Sequence, residues 1–148
     1  GLLESELPEW GVDPLFADLV ADRFHYVLRP LPNLLFMRDN AAWVNEGLML
    51  NVLATPARER ESIYMREIYR HHPRFRNAAF PVWYGNGPDD HYPASIEGGD
   101  VLVLSDETVI VGLGERTAPA AVEMLARRLF GGSTVRNVIV VHLRQARR

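Results

Sequence analysis

The chain has 148 residues, 47% of them hydrophobic and 24% charged, which is enough apolar material for one domain-sized core. A formal net charge of -3 argues against a nucleic-acid or anionic-membrane partner. The longest apolar runs, such as Val101 to Leu104 and Asn137 to Val141, are strand-sized and far short of the roughly 20 residues a membrane helix needs.

No signal peptide is visible, and the absence of cysteine removes disulfides and thiolates and accords with a cytoplasmic protein. The five His are not at metal-ligand spacing; His71 and His72 are adjacent and would point apart on a helix. Gly1 stands where a start Met would, and Arg144-Gln145-Ala146-Arg147-Arg148 follows directly on a strand-like run, so the sequence reads as a fragment.

In chain order, Leu2, Leu3, Leu7, Trp10, Leu15, Phe16, Leu19 and Val20, interrupted by Pro8, Gly11 and Pro14, predict short helical pieces. Phe24 to Leu28 has strand composition, and Arg29-Pro30-Leu31-Pro32 is a stiff extended connector. Strands are then expected through Phe36 and Met37, at Ala41 to Val44 and at Leu48 to Leu53. A helix follows from Pro56 to about His71, with Pro56 in its first turn, and a strand near Phe80 to Trp83. Ile63, Tyr64, Met65 and Ile68 predict the buried stripe of that helix; Arg58, Glu59, Arg60, Glu61, Arg66, Glu67 and Arg70 predict its solvated face.

Residues 85–93 carry turn chemistry, after which the pattern restarts. Val101 to Leu104 and Thr108 to Gly112 read as a hairpin across Ser105-Asp106-Glu107, Thr117 to Phe130 as a helix stopped by Gly131-Gly132, and Val135 to His142 as a strand. Thr117 or Arg116 occupies the N-cap position, with Pro119 in the first turn. The chain therefore reads as two copies of a strand, strand, helix, strand unit, an internal repeat of the kind that builds propellers. Asp39 precedes Arg58 by nineteen residues and Glu97 precedes Arg116 by the same nineteen. Each copy offers one carboxylate ahead of its hairpin and one Arg at its helix start, and the four groups are expected around one axis.

Three motifs carry candidate chemistry. Asn33-Leu34-Leu35-Phe36-Met37-Arg38-Asp39 places an acid near a strand end; its ordinary alternative is an edge strand whose Arg38 and Asp39 face water. Ile96-Glu97-Gly98-Gly99-Asp100 sets paired glycines between two acids, which suits close backbone approach or a simple turn. Gly112-Leu113-Gly114-Glu115-Arg116-Thr117 superficially resembles a phosphate loop but lacks the Lys-Ser/Thr ending and a third Gly. Its Arg116 suits a carboxylate better, because a guanidinium fork binds that group in two places.

In this order and spacing, the segments Asn33 to Asp39, Ile96 to Asp100 and Gly114 to Thr117 resemble the arginine deiminase family, over nearly the whole chain. The sequence departs from the family at Met37 and Asn40, where Thr and Pro are usual. The resemblance implies an α/β fold, a partial pentein propeller with two ββαβ-type repeats at about 33–84 and 96–142. Residues 1–22 would be the tail of a helical insertion domain and 23–148 the propeller.

The resemblance also implies site roles. Asp39 and Glu97 would hold the substrate guanidinium, Glu97 also helping proton movement. Arg58 and Arg116 would bind the α-carboxylate, with Arg60 an alternative to Arg58, and Asn33 and Phe36 would line the pocket. The implied activity is hydrolysis of L-arginine to L-citrulline and ammonia without metal or organic cofactor. A Cys thiolate attacks the guanidinium carbon to form a thiouronium intermediate, and a His moves protons.

Neither the His nor the Cys is identifiable here; His142 is followed by Leu143 and Arg144 rather than by the family's His-Leu-Asp, and reads as structural. The implied partners are L-arginine and the remaining segments of the parent polypeptide, and strand edges left unpaired by a partial ring point to self-association or to contact with those segments. Two other classes use the same acids: a noncatalytic guanidino or amino-acid binding module, and a sister enzyme such as an amidinotransferase.

Overall fold

The computed structural model describes residues 2–3, 26–88 and 90–143. The chain forms two compact units, Gly1–Asn33 and Leu34–Arg148. In the first, β1 (Leu2–Leu3) pairs antiparallel with β2 (Tyr26–Leu28). Leu2 and Leu3 are thus extended rather than helical, since ladder pairing outweighs local propensity in a two-residue segment. The other expected helical pieces before residue 26 lie outside the described residues.

The second unit is a mixed α/β arrangement of two three-stranded sheets. It opens with a single turn, α1 (Met37–Asn40), where a strand through Phe36 and Met37 was expected. Met and Arg are good helix formers, and the carbonyls that end so short a helix need partners. Asn51 supplies them: its backbone N–H donates to the Asn40 carbonyl at 3.1 Å and its Nδ2 to the Asp39 carbonyl at 2.8 Å.

Next come β3 (Ala41–Val44) and β4 (Gly47–Leu50), an antiparallel hairpin. Its two-residue turn places Asn45 at φ 50°, a left-handed conformation that Asn tolerates better than most residues. Gly47 is required by space, because a Cβ there would lie 2.1 Å from Trp83 Nε1. A 3₁₀ turn, Pro56–Arg58, leads into α2 (Glu59–His71), and the chain returns as β5 (Val82–Tyr84), parallel to β4.

The other sheet has β6 (Val101–Ser105) antiparallel to β7 (Thr108–Leu113), then α3 (Pro119–Gly132) and β8 (Asn137–His142), parallel to β7. A helix crosses over before each parallel strand, as a parallel connection requires. One apolar core joins the sheets: Val44, Met49, Trp83 and Tyr84 meet Val101, Val109, Val111 and Val135, together with Ala121, Val122, Leu125 and Leu129 of α3. On α3 those four residues form a regular helical stripe. Gly131 and Gly132 extend the helix instead of stopping it. The end comes at Ser133, whose N–H and hydroxyl both donate to the Leu129 carbonyl, at 2.9 and 2.7 Å.

Helix α2 keeps part of its expected amphipathicity, with Met65 inside and Glu59, Glu67 and Arg70 outside, and departs from it elsewhere. Ile63, Tyr64 and Ile68 are exposed, whereas Glu61 and Met65 are buried, as is Arg58 just ahead of the helix. Apolar periodicity assigns the inside to the oily stripe, but two opposite charges four positions or fewer apart can be buried together once they satisfy each other.

The segment from β5 to Glu97 is organised by Asp90. Its Oδ2 accepts the N–H groups of Gly85, Asn86 and Gly87 at 2.9, 3.0 and 2.7 Å and Arg128 Nη1 at 2.8 Å. Burial opposes its ionisation, but the bonds from Arg128 and Gly87 outweigh burial and hold the carboxyl below its ordinary range. Burial, then the charge of Asp90, pushes the neighbouring Tyr84 hydroxyl up to about 12; it donates to the Ala94 carbonyl at 2.6 Å. Ser95 to Glu97 then runs between the halves, with Ile96 N–H on the Val52 carbonyl and Ala118 N–H on the Ser95 carbonyl, both at 2.8 Å.

Candidate active site

Asp39 is carried by the first turn of the second unit, Arg58 by the junction of the 3₁₀ turn with α2, and Glu97 by the extended residue before the Gly98–Asp100 turn. Arg116 follows β7, ahead of α3. The fold brings these four together. Arg58 Nη1 donates to Asp39 Oδ2 at 3.1 Å and lies 3.6 Å from Glu97 Oε2, while Arg116 Nη1 donates to Glu97 Oε1 at 3.0 Å. The result is a continuous run of alternating charge, Asp39, Arg58, Glu97, Arg116, with both carboxylates in one cluster.

Arg58 is the arginine that reaches Asp39; Arg60 is half-buried on α2. A third carboxylate, absent from the sequence-derived candidates, holds Arg58 from behind. Glu61 Oε1 accepts Arg58 Nε at 2.9 Å and Oε2 accepts Nη2 at 2.8 Å, a two-pronged pairing in which both side chains are buried. The bond to Glu61 is the main reason the Arg58 guanidinium titrates well above the ordinary arginine range; burial works the other way, and the bond to Asp39 adds to the rise. The signal for Glu61 was present as an i, i+3 acid–arginine spacing at a helix start, masked by counting every charge on α2 as solvated.

Two further groups were missed. Arg38 does not simply face water: its Nε donates to the Gly98 carbonyl at 3.0 Å and its Nη2 to the Val101 carbonyl, tying the Asp39 turn to the Glu97 turn. Gly98 permits this closeness, since a Cβ there would stand 2.1 Å from the Arg38 carbonyl oxygen. Thr117 is not the cap of α3; Ala118 holds that position. The Thr117 hydroxyl instead donates to Asp100 Oδ2 at 2.6 Å and accepts the Glu97 N–H at 3.2 Å, fixing the backbone that presents Glu97.

Of the remaining candidates, Phe36 is exposed beside Met37, and Asn33 belongs to the first compact unit. His142, at the end of β8, borders a cleft of about 310 Å³ with Gly114, Glu115 and Thr117. Among the described residues no helix is long and apolar enough to cross a membrane, and no group of three or more His, Cys, Asp or Glu could hold a metal ion.

Chemically, two acids held at one place can receive a planar, multiply donating cation, and arginines beyond them can receive an anion. Residues 12–148 match the family described as arginine deiminase. The chain is 45% identical, over 99% of its length, to the arginine deiminase of Listeria monocytogenes serovar 1/2a and 44% identical, over the same share, to that of Listeria welshimeri serovar 6b. It spans 35% of the length of each.

Among solved structures it resembles a dimethylarginine dimethylaminohydrolase adduct with 4-chloro-2-hydroxymethylpyridine. The TM-score is 0.57 at 18% identity, over 78% of this chain and 41% of the other. It also resembles an amidinotransferase from Microseira wollei, with TM-score 0.55 at 12% identity, over 71% of this chain and 34% of the other. Such similarity speaks to the shared fold alone. The match to the family profile covers all but the first eleven residues, and on it the chain belongs to the arginine deiminase family.

Proposed function

We propose that the protein carrying this chain hydrolyses L-arginine to L-citrulline and ammonia, and that residues 23–148 supply part of a pentein propeller with its substrate-binding acids and arginines. The two sheets would be successive ββαβ repeats of that propeller, and residues 1–22 the tail of a helical insertion. The observation that carries the reading is the convergence of Asp39 and Glu97 on the Arg58 guanidinium, at 3.1 and 3.6 Å, with Arg116 on the far oxygen of Glu97. Carboxylates that hold one guanidinium have the geometry to hold another.

L-arginine brings both a guanidinium and a carboxylate, so its binding exchanges partners. Asp39 and Glu97 turn to the substrate guanidinium, and Arg116 and Arg58 receive its carboxylate, with Phe36 lining the pocket. A Cys thiolate from outside these 148 residues then attacks the guanidinium carbon. A C–S bond forms, the C–N bond breaks as a His and Glu97 deliver a proton to the departing ammonia, and water releases citrulline from the thiouronium. No metal or organic cofactor enters, and the setting is the cytoplasm.

Two assays test this. The parent protein should convert arginine to citrulline with one ammonia per turnover; transfer of the amidino group to an added amine would favour the amidinotransferase reading. The 148-residue chain alone, lacking any thiol, should form no citrulline above a heat-killed control on long incubation. Turnover there would sink the covalent mechanism.

A further inference from the structure

Glu61 lies fully buried one turn from Arg58, a spacing that puts both side chains on one side of the helix start. Its two oxygens occupy Arg58 along the Nε and Nη2 edge, at 2.9 and 2.8 Å, and Oε2 also accepts Asn40 Nδ2 at 3.4 Å. A guanidinium is a rigid planar fork, so fixing one edge fixes where the other points. The other edge, through Nη1, meets Asp39 at 3.1 Å and Glu97 at 3.6 Å.

We propose that Glu61 is a positioning residue that locks Arg58 with its outer edge turned to the site. That edge becomes a preset receptor for a substrate carboxylate once the substrate guanidinium has drawn Asp39 and Glu97 away. The inference deepens the arginine-binding reading above and rests on it. Glu61 cannot itself serve the substrate, since both its oxygens are already taken from within the protein. Its work is to remove the freedom of a long side chain before the ligand arrives, the part of binding that preorganisation improves. Without it Arg58 would be a buried cation drawn further onto Asp39 and Glu97, competing with the substrate for the acids.

The parent protein, Glu61→Gln, Arg58→Lys and the double variant are compared by calorimetric titration and citrulline formation with L-arginine and with agmatine, which lacks the carboxylate. Glu61→Gln should weaken arginine binding and raise KM about tenfold while kcat stays within about threefold, and agmatine should change by less than about threefold. On the Arg58→Lys background Glu61→Gln should add nothing, because the effect runs through Arg58. Equal losses with both ligands, or additive losses in the double variant, overturn the proposal.

If Glu61→Gln does not fold, Arg58→Met with Glu61→Leu exchanges the buried pair for apolar groups of similar size. The same carboxylate-specific loss is expected, and an unchanged preference for arginine over agmatine overturns the proposal. A wild-type protein that binds arginine without making citrulline defeats the hydrolytic reading alone and leaves the calorimetric comparison to decide this one. Absence of arginine binding defeats both.

Discussion

Asp39 with Arg58 and Glu97 with Arg116 are acid–arginine pairs of identical sequence separation, yet the Arg58 side chain is 5% exposed and that of Arg116 48%. In the first pair the arginine is buried and bound by Glu61 behind it, and the acid is the more open partner. In the second the acid is buried, fixed through Thr117 and Asp100, and the arginine is open. Equal spacing therefore produced two different electrostatic devices. One is a cation anchored from behind by Glu61, with only its Nη1 edge turned to Asp39 and Glu97. The other is a buried acid with an outward-reaching cation free to exchange partners with little desolvation.

The largest difference should appear in catalysis by the parent protein. Asp39→Ala removes the open acid of the first pair, which in the proposed reaction is a charged partner of the reacting group, and should lower kcat by about a hundredfold or more, read as citrulline formation at saturating arginine. A small effect would mean that Glu97 alone orients the guanidinium.

Stability should separate the two arginines. Arg58→Ala strands Glu61 as a buried, unpaired charge and should cost about 3–5 kcal/mol. Arg116→Ala, at a half-exposed pair, should cost about 1 kcal/mol or less. Denaturant melts of the two variants check this, and equal losses would erase the distinction between the buried, anchored cation and the open one.

Binding should depend on Arg116 even though stability hardly does. Arg116→Ala should raise KM for arginine about tenfold, with some loss of kcat because remote binding also orients substrate. Agmatine, already a poor substrate, should lose little more; equal losses would show that Arg116 does not read the carboxylate.

The effect furthest from the chemistry concerns how the Glu97 half is delivered to the Asp39 half. The native pKa of Asp90 is lowered, so its ionised form stabilises the fold fully above the ordinary carboxylate value near 3.8. That contribution is lost as pH falls through the depressed native value. Asp90→Asn should cost about 1–3 kcal/mol at neutral pH and flatten the acid limb of the stability curve, with the two proteins converging in melting temperature toward low pH. An unchanged acid limb would show that the Asp90–Arg128 pairing does not hold the segment leading to Glu97.

Much of this was written in local chemistry. Hairpins at Ala41 to Val44 and at Val101, the helices after Pro56 and around Pro119, and the nineteen-residue spacing of acids and arginines all follow from patterns within a few residues, where turn residues, prolines and apolar runs act directly on the backbone. The gathering of Asp39, Arg58, Glu97 and Arg116 in one cluster was likewise expected from that spacing. What one dimension could not contain is which charges face inward.

Glu61 and Arg58 sit inside and Ile63, Tyr64 and Ile68 outside because burying an ion pair depends on partners converging from separate elements: Asp39 on α1 and Glu97 beyond β5. Arg38 and Thr117 were assigned to solvent and to a helix cap for the same reason. Their bonds to Gly98, Val101 and Asp100 exist only after the two sheets have packed on one core. Sequence determined the elements and the chemical repertoire; tertiary structure decided which acid anchors an arginine and which is left to exchange, since that choice is set by long-range neighbours and the desolvation they impose.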